Sequence, residues 1–352
     1  MLLKSFAMKR VIVVGNGMVG YKFCEKLRNR LAEAEIIAYG EEPRPAYDRV
    51  HLSDFFSGST SEDLNQIMEY ARKVKRGAVM GGGLLGLEAA KALFDLGLET
   101  HVVEFASRLM PRQLDDAGSQ MLAHKLSQLG ITIHTGKNTK KIDGNGKLEG
   151  LTFVDGSHLA IEMLVISAGI RPRDELAKAS LLDAHPRGGI QVDNYLKTND
   201  ENIFAIGEAV VHNNIVYGLV APGYEMADIV AAQIAGASSK QFTGFDMSTK
   251  LKMIGVDVGS FGDPFGETPG SIPITFQDKH NGVYKRINIS SDGKYLLGGI
   301  LIGDASQYNI LHQMVINKMT LPAQPESLII GSPGKSGAEG AGVKDLPETA
   351  PI

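Results

Sequence analysis

The sequence predicts an α/β fold with two doubly wound, three-layer ββα domains, the first of them incomplete, and a small α+β domain after them. Two observations support this prediction. A glycine-rich turn with the pattern G-x-G-x-x-G occurs twice, at 15–20 and at 81–86. Each copy follows a short apolar run and precedes an amphipathic stretch, which is the strand–turn–helix order of a parallel sheet covered by helices. One such turn is weak evidence, whereas two in this context predict two Rossmann-like dinucleotide sites.

Each glycine of the first turn has a structural role that requires glycine. The run at 9–14 ends in four apolar residues and predicts a buried strand. Gly15 makes the tight turn after it, Gly17 lets the backbone approach a pyrophosphate, and Gly20 lets the following helix pack close to the strand. That helix directs its free N–H groups and the positive end of its dipole toward the anion.

The second turn lies in a more complete domain. A strand is predicted at 76–80, and the helix at 84–96 ends before Gly97, which suits the left-handed C-terminal position. Two hairpin turn signals, Asn145-Gly146 and Asp155-Gly156, follow. The other predicted elements are strands at 35–39, 99–103, 131–134, 163–169, 203–208, 282–290 and 295–302, and helices at 60–74, 115–129, 221–235 and 308–319.

An acidic residue follows the second strand of each copy. In the first copy the candidates are Glu41 and Glu42, and we favour Glu42 because a turn-forming proline comes directly after it. In the second copy the acid is Glu104, 23 residues after Gly81. A carboxylate there accepts hydrogen bonds from both adenosine ribose hydroxyls and repels a 2′-phosphate, so the second site is predicted to prefer NADH to NADPH. Arg108, four residues further on, softens that preference.

The composition excludes several classes of protein. The 352 residues carry a formal net charge of −4 and contain no run of Lys or Arg, so neither nucleic-acid nor membrane-surface binding is predicted. No apolar stretch reaches membrane-spanning length and no signal peptide is recognisable, so we expect a cytoplasmic protein. Cys24 is the only cysteine, which excludes a catalytic cysteine pair and an iron–sulfur cluster held by four thiolates of this chain. The nine histidines show no metal-ligand spacing, and no metal site is predicted.

The first copy is too short for a whole domain. Gly81 to Gly169 spans 88 residues and contains two β–α repeats, a third strand, a hairpin and a closing strand. Only 66 residues separate Gly15 from Gly81, and at about 30 residues per βαβ unit they cannot hold the same pieces. We therefore hypothesise an internal deletion near 58–61 that leaves sheet backbone groups unpaired or forces the sheet to repack.

Together these residues resemble FAD-dependent pyridine nucleotide oxidoreductases with two dinucleotide sites. Within that family they are most similar to the N-terminal electron-input part of the large subunits of NADH-dependent nitrite reductases. The segments that carry the resemblance are 15–20, 41–53 (EEPRPAYDRVHLS), 81–88, 167–173, 203–208 and 217–224. They extend over most of the chain, and the segment at 41–53 is the most specific of them.

The resemblance implies FAD at the first turn and NADH, rather than NADPH, at the second. It implies that Glu42 binds the adenosine ribose of FAD and that Arg49 contacts its adenylate side. It also implies that Gly207 and Glu208 bind the ribitol and the pyrophosphate. Glu88 would reach toward the nicotinamide and is the implied catalytic residue. The implied cofactor contacts are Gly15, Gly17, Met18, Gly20, Glu41, Glu42, Arg49, Gly81, Gly83, Leu84, Leu85, Gly86, Glu104, Gly169, Gly207, Glu208, Ala221 and Pro222.

The same resemblance implies the domain boundaries. The incomplete FAD-binding domain takes 1–59 and 166–245, and the NADH-binding domain takes 60–165. A C-terminal interface domain at 246–330 is implied to cover the flavin or to build a homodimer. The Gly/Ser-rich composition of 331–342 predicts that 331–352 is a flexible tail.

The implied reaction passes a hydride from NAD(P)H to FAD and then electrons to a one-electron acceptor. The expected acceptor is an iron–sulfur and sirohaem domain of the nitrite reductase type, because this chain has no ligand set for such centres. Two alternatives stay open. One is a stand-alone reductase of rubredoxin or ferredoxin, which are small iron proteins. The other is a flavin-free, non-catalytic NADH-binding protein, left by the shortened flavin domain.

Overall fold

The computed structural model describes residues 9–42, 46, 62–237 and 240–330. The chain forms two compact units. Unit 1 comprises Met1–Ser107 and Gly130–Met247, and it contains both glycine-rich turns. Unit 2 comprises Arg108–Leu129 and Ser248–Ile352. The stretch at 108–129, which the sequence assigns to the NADH-binding domain, therefore groups with the C-terminal residues. Arg49 and the predicted tail at 331–352 lie outside the described residues.

The first glycine turn of unit 1 lies between strand β1 (Arg10–Val14) and helix α1 (Met18–Arg30). Strand β2 (Glu35–Tyr39) pairs with β1 in parallel. Val13, Phe23 and Leu27 are buried and pack against helix α6 (Val220–Ile234) in one apolar core. Their spacing explains the fold locally, because alternate residues of the strand and every fourth residue of the helix face the same core.

The sheet of the first copy has only two strands among the described residues, β1 and β2. The predicted strand at 203–208 is wrong. Phe204 forms a single bridge with Lys197, and Gly207–Ala209 is a 3₁₀ helix. A strand is stabilised by its ladder of hydrogen bonds to a neighbour, so an apolar run without a pairing partner stays irregular.

The second copy has a four-stranded parallel sheet and a covering meander. The sheet order is β5-β4-β3-β9, and β6-β7-β8 form the antiparallel meander. Gly97 follows the helix of this copy with a φ of 85°, the left-handed conformation that the sequence predicts. The elements are α2 (Glu62–Ala71), β3 (Arg76–Met80), α3 (Leu84–Asp95), β4 (Glu99–Val103), β5 (Thr132–His134), β6 (Thr139–Gly144), β7 (Leu148–Phe153), β8 (His158–Ala160) and β9 (Met163–Ile166).

The rest of unit 1 consists of short elements between β9 and α6. They are α5 (Glu175–Ala179), β10 (Ile190–Gln191), and β11 (Val210–Val211), and β10 pairs with β11 in parallel.

Unit 2 is a five-stranded antiparallel sheet with the order β12-β13-β16-β15-β14. Asp115 caps helix α4 and also binds Tyr284 and Arg286 of the sheet, which fastens the helix to it. No helix in the described ranges is long and apolar enough to cross a membrane. The elements are α4 (Asp116–Gln128), β12 (Thr249–Met253), β13 (Val256–Gly262), β14 (Ile272–Asp278), β15 (Val283–Ile289), β16 (Leu296–Ile302), α7 (Tyr308–Ile316) and α8 (Ser327–Ile330).

Candidate dinucleotide sites

The two glycine turns have nearly the same backbone. Gly15 and Gly81 open them with φ angles of 108° and 119°, in the left-handed region that favours glycine. Gly17 and Gly83 cap the helices with φ angles of −85° and −83°. Each turn therefore ends in a helix N-terminus whose first N–H groups and dipole are suited to a phosphate group.

The third glycine of each turn sits against the first. A Cβ atom on Gly20 would lie 2.0 Å from the Gly15 carbonyl oxygen, and one on Gly86 would lie 1.9 Å from that of Gly81. Any side chain would push the helix away from the turn. The close helix–strand packing predicted for these positions thus depends on glycine in both copies.

Glu104 stands at the end of β4, beside the second turn. Its Oε2 accepts a hydrogen bond of 2.6 Å from the backbone N–H of Gly82, and its Oε1 accepts one of 2.7 Å from that of Ala106. The carboxylate is half-buried and held by backbone at both oxygens. Each oxygen retains a further lone pair, so the group can still accept from ribose hydroxyls.

The acids of the first copy are arranged differently. Glu41 forms an ion pair with Arg173, and both side chains are exposed. The hydrogen bond from this guanidinium lowers the pKa of the Glu41 carboxyl. Glu42 is exposed as well. The sequence offered no signal for the Glu41–Arg173 pair, since the two residues are 132 positions apart.

The Val19 side chain, beside the first turn, packs against two segments that are distant from it in the sequence. A Cβ atom on Gly207 would lie 3.2 Å from the Val19 side chain, and one on Gly223 would lie 2.5 Å from it. The 3₁₀ helix with the exposed Glu208 and the first turn of α6 with the buried Pro222 therefore pack beside α1. Val19 was not among the expected site residues, because its role depends on two glycines far along the chain.

The remaining expected residues lie at the rims of the turns. Met18 and Leu84 begin helices α1 and α3. Leu85 is 69% exposed, and Glu88 is an exposed residue one helical turn further on. Partial desolvation raises the pKa of the Glu88 carboxyl. Gly169, with a φ of 92°, and Ala221 are also exposed.

The two copies differ in what stands behind the turn. A Cβ atom on Gly81 would meet the carbonyl oxygen of Ser167 at 2.0 Å, because the chain leaving β9 runs directly behind it. Nothing in the described part of the chain comes within 4 Å of the same position on Gly15. In these described ranges, no group of three or more His, Cys, Asp or Glu side chains is suited to a metal ion.

Comparison with known proteins identifies the family. A family model of pyridine nucleotide-disulphide oxidoreductases matches residues 54–235, more than half of the chain. The chain belongs to this family. A second model, of the C-terminal domain of rubredoxin NAD⁺ reductases, matches residues 248–319. Membership confirms the predicted enzyme class, and FAD with a pyridine nucleotide as the cofactors of the family.

Two relatives of this chain are large subunits of nitrite reductases. The nitrite reductase (NADH) large subunit of Escherichia coli (strain K12) is 41% identical over 97% of this chain and 50% of its own length. The nitrite reductase [NAD(P)H] large subunit of Klebsiella oxytoca is 42% identical over 97% and 44%, respectively. The chain thus spans about half the length of the curated relatives it matches.

The fold agrees with a solved structure. The NAD-dependent persulfide reductase from A. fulgidus superposes with a TM-score of 0.77 at 18% identity, over 89% of this chain and 77% of that one. This likeness confirms the predicted α/β class with Rossmann-like domains and a smaller C-terminal domain.

The same alignments include positions of the relatives that have no counterpart in this chain. The E. coli match extends over 421 residues but covers only 97% of 352, about 341, so about 80 of its positions have no counterpart here. The K. oxytoca match, over 418 residues at the same coverage, gives about 77. The family model begins to match only at residue 54, well after the first glycine turn.

Proposed function

We propose that this chain is the electron-input module of an NAD(P)H-dependent nitrite reductase. NADH binds at the second glycine turn, and its electrons pass by way of FAD at the first turn to an iron-containing acceptor. The observation that carries the proposal is the second turn, where glycine backbone, helix N-terminus and the Glu104 carboxylate stand together. The identity of 41% to a nitrite reductase large subunit over nearly the whole chain supports this acceptor class.

On the nicotinamide side, the proposed roles follow from charge and backbone. Gly81, Gly83 and Gly86 admit the pyrophosphate to the N–H groups at the start of α3. Glu104, already fixed by two backbone N–H groups, accepts from the adenosine ribose hydroxyls. Its negative charge disfavours a 2′-phosphate, so NADH is the proposed donor rather than NADPH. Glu88 is proposed to orient the nicotinamide.

On the flavin side, the pyrophosphate cradle fits FAD, because the first turn has the backbone of the second. Gly15, Gly17 and Gly20 would hold the phosphates, and Gly207 with Glu208 would hold the ribitol side beside Val19. When bound, FAD takes up the two electrons of the hydride and releases them singly. The protein contributes binding and orientation.

The partner and the assembly belong to the same proposal. The one-electron acceptor is an iron–sulfur and sirohaem domain, or a small iron protein that takes its place. A homodimer and a cytoplasmic location are part of the proposal too.

The test is the visible spectrum of the purified chain after incubation with excess FAD and removal of the unbound part. Anaerobic NADH should bleach any retained flavin. A titration with NADH should also change the fluorescence of the sample until it saturates, which reports NADH binding. NADPH should do both at higher concentrations. Retained flavin that NADH does not bleach, or no NADH binding at all, refutes the proposal.

Two outcomes select the alternatives. Reduction of a purified rubredoxin or ferredoxin by NADH, with no transfer to an iron–sulfur and sirohaem domain, favours a stand-alone reductase. A protein that binds NADH tightly but reduces no dye even with excess FAD kept in the solution favours a flavin-free NADH-binding function for the chain on its own.

A further inference from the structure

One face of the β1–β2 sheet is apolar and open to solvent. Side chains alternate along a strand, so Val13 faces α1 and α6, and its neighbours face the other way. Ile12 is 60% exposed, Val14 is 65% exposed, and Tyr39, paired with Val14 across the sheet, is 59% exposed. We call these three residues the uncovered face. Contiguous exposed apolar residues on a sheet usually mark an interaction surface.

The second copy shows what covers the equivalent face. Superposing the turns, which are 66 residues apart, places Ile12 on Ala78 and Tyr39 on Val103. Ala78 is 0% exposed and Val103 is 1% exposed. Both are buried by residues of the meander and the segment after it, namely Leu151, Phe153 and Ile161. The cover of this fold is therefore a three-stranded antiparallel meander.

The edge of the sheet differs in the same way. Strand β3 pairs with β4 on one side and with β9 on the other. Within the described residues, β1 pairs with β2 alone. An unpaired strand edge offers a row of backbone donors and acceptors to an added strand. Within the described residues no atom comes within 4 Å of a Cβ position on Gly15, whereas Ser167 occupies that place at Gly81, and this position lies at the end of the same edge.

The relatives have enough unmatched positions to supply an equivalent cover. In the second copy, 65 residues lead from Glu104 to Gly169 and include the third strand, the meander and the closing strand. The relatives have about 77 to 80 positions without counterpart in this chain. Those positions are sufficient for the same set of elements.

We propose that the uncovered face and the edge of β1 opposite β2 bind a separate polypeptide segment of about 80 residues, which supplies a meander over the face and a parallel strand beside β1. Docking of this segment restores the three-layer domain, and the chain retains FAD when the segment is docked. The flavin part rests on the proposed function, whereas binding of the segment does not.

The experiment uses the full chain and the region of the E. coli nitrite reductase (NADH) large subunit whose positions have no counterpart in this chain, expressed together as separate polypeptides. The segment carries the affinity tag, and the chain that co-purifies with it is quantified. Val14→Lys should reduce the co-purified amount at least about tenfold, because docking would bury an unpaired ammonium group. The matched control is Ile310→Lys in α7, where the replaced side chain is 60% exposed, close to the 65% of Val14, and it should change nothing.

Binding of NADH to the chain, measured in parallel, keeps the two proposals apart. Val14→Lys should bind NADH like the wild type, which also shows that unit 1 is folded. The complex with the segment should retain FAD and the chain alone should retain at least tenfold less. Wild-type chain that does not co-purify with the segment overturns the proposal, as does an equal loss in both variants. A dimer of the chain alone that Val14→Lys dissociates would assign the face to a second copy and overturn it as well. Loss of NADH binding would instead contradict the proposed function.

Discussion

Alanine at Gly86 should lower the stability of the chain and alanine at Gly83 should not, although the two residues are three positions apart in one turn. At Gly86 the new Cβ would lie 1.9 Å from the Gly81 carbonyl oxygen and 2.8 Å from its carbonyl carbon. Both are backbone atoms, so no side chain can move aside, and helix α3 must shift by about an ångström or more. Overpacking of this kind costs roughly 1–3 kcal/mol.

The backbone contact puts Gly86→Ala at the upper end of that range. A loss of about 3 kcal/mol lowers the melting temperature of a unit of this size by roughly 6–12 °C. Gly83→Ala differs, because nothing lies within 4 Å of its Cβ position in the described structure and its φ of −83° suits any residue. Its only structural cost is a poorer helix cap, at most about 1 kcal/mol.

Gly83→Ala should instead lose affinity for NADH while it keeps its stability. A methyl group on Gly83 occupies the space through which the pyrophosphate would approach the α3 N–H groups. Losing one or two hydrogen bonds to a charged group costs about 1.5–3 kcal/mol each, so affinity should fall at least about tenfold.

Thermal melts of the wild type and both variants, with and without NADH, and a fluorescence titration with NADH measure the two effects separately. Each variant is the control for the other. The reasoning is refuted if Gly86→Ala has the melting temperature of the wild type, or if Gly83→Ala keeps wild-type affinity for NADH.

Three further predictions concern side chains. Glu104→Gln removes the charge that disfavours a 2′-phosphate, so parallel titrations should show the NADH preference over NADPH shrinking about tenfold; an unchanged ratio would exclude Glu104 from that role. Asp115→Ala removes the cap of α4 and the hydrogen-bond acceptor of Tyr284. Urea unfolding should show that this variant is less stable than the wild type by roughly 2–4 kcal/mol, against about 1 kcal/mol for Tyr284→Phe. Burial lowers the pKa values of His101 and His134 in the folded chain, so the unfolded chain binds more protons, and stability should fall as pH drops below about 6.5; a double His→Gln variant should flatten that slope.

Much of this molecule follows from local patterns. The turn glycines, the left-handed Gly97, the helix that starts after Asp115 and the acid after β4 all depend on neighbours within a few residues. Steric limits on backbone angles and the periods of strand and helix act over that range. The family resemblance, with its two cofactors, rests on the same short segments.

Contacts between distant residues had to come from the tertiary structure. The pairing of Glu41 with Arg173 joins residues 132 positions apart, and the two glycines beside Val19 are still farther from it in the sequence. Residues 108–129 read as part of the nucleotide domain, yet their helix is fastened to the C-terminal sheet through Asp115. Nothing local specifies which sheet a surface helix packs against.

The apolar run at 203–206 shows the physical limit most clearly. Its composition is that of a buried strand, but a strand exists only where a neighbouring strand accepts its hydrogen bonds. The sequence by itself determined that two dinucleotide turns are present and that the first domain is short. Only the tertiary structure decided which side chains are left exposed by the short domain, namely Ile12, Val14 and Tyr39. Exposure is a property of the packed chain and not of any segment within it.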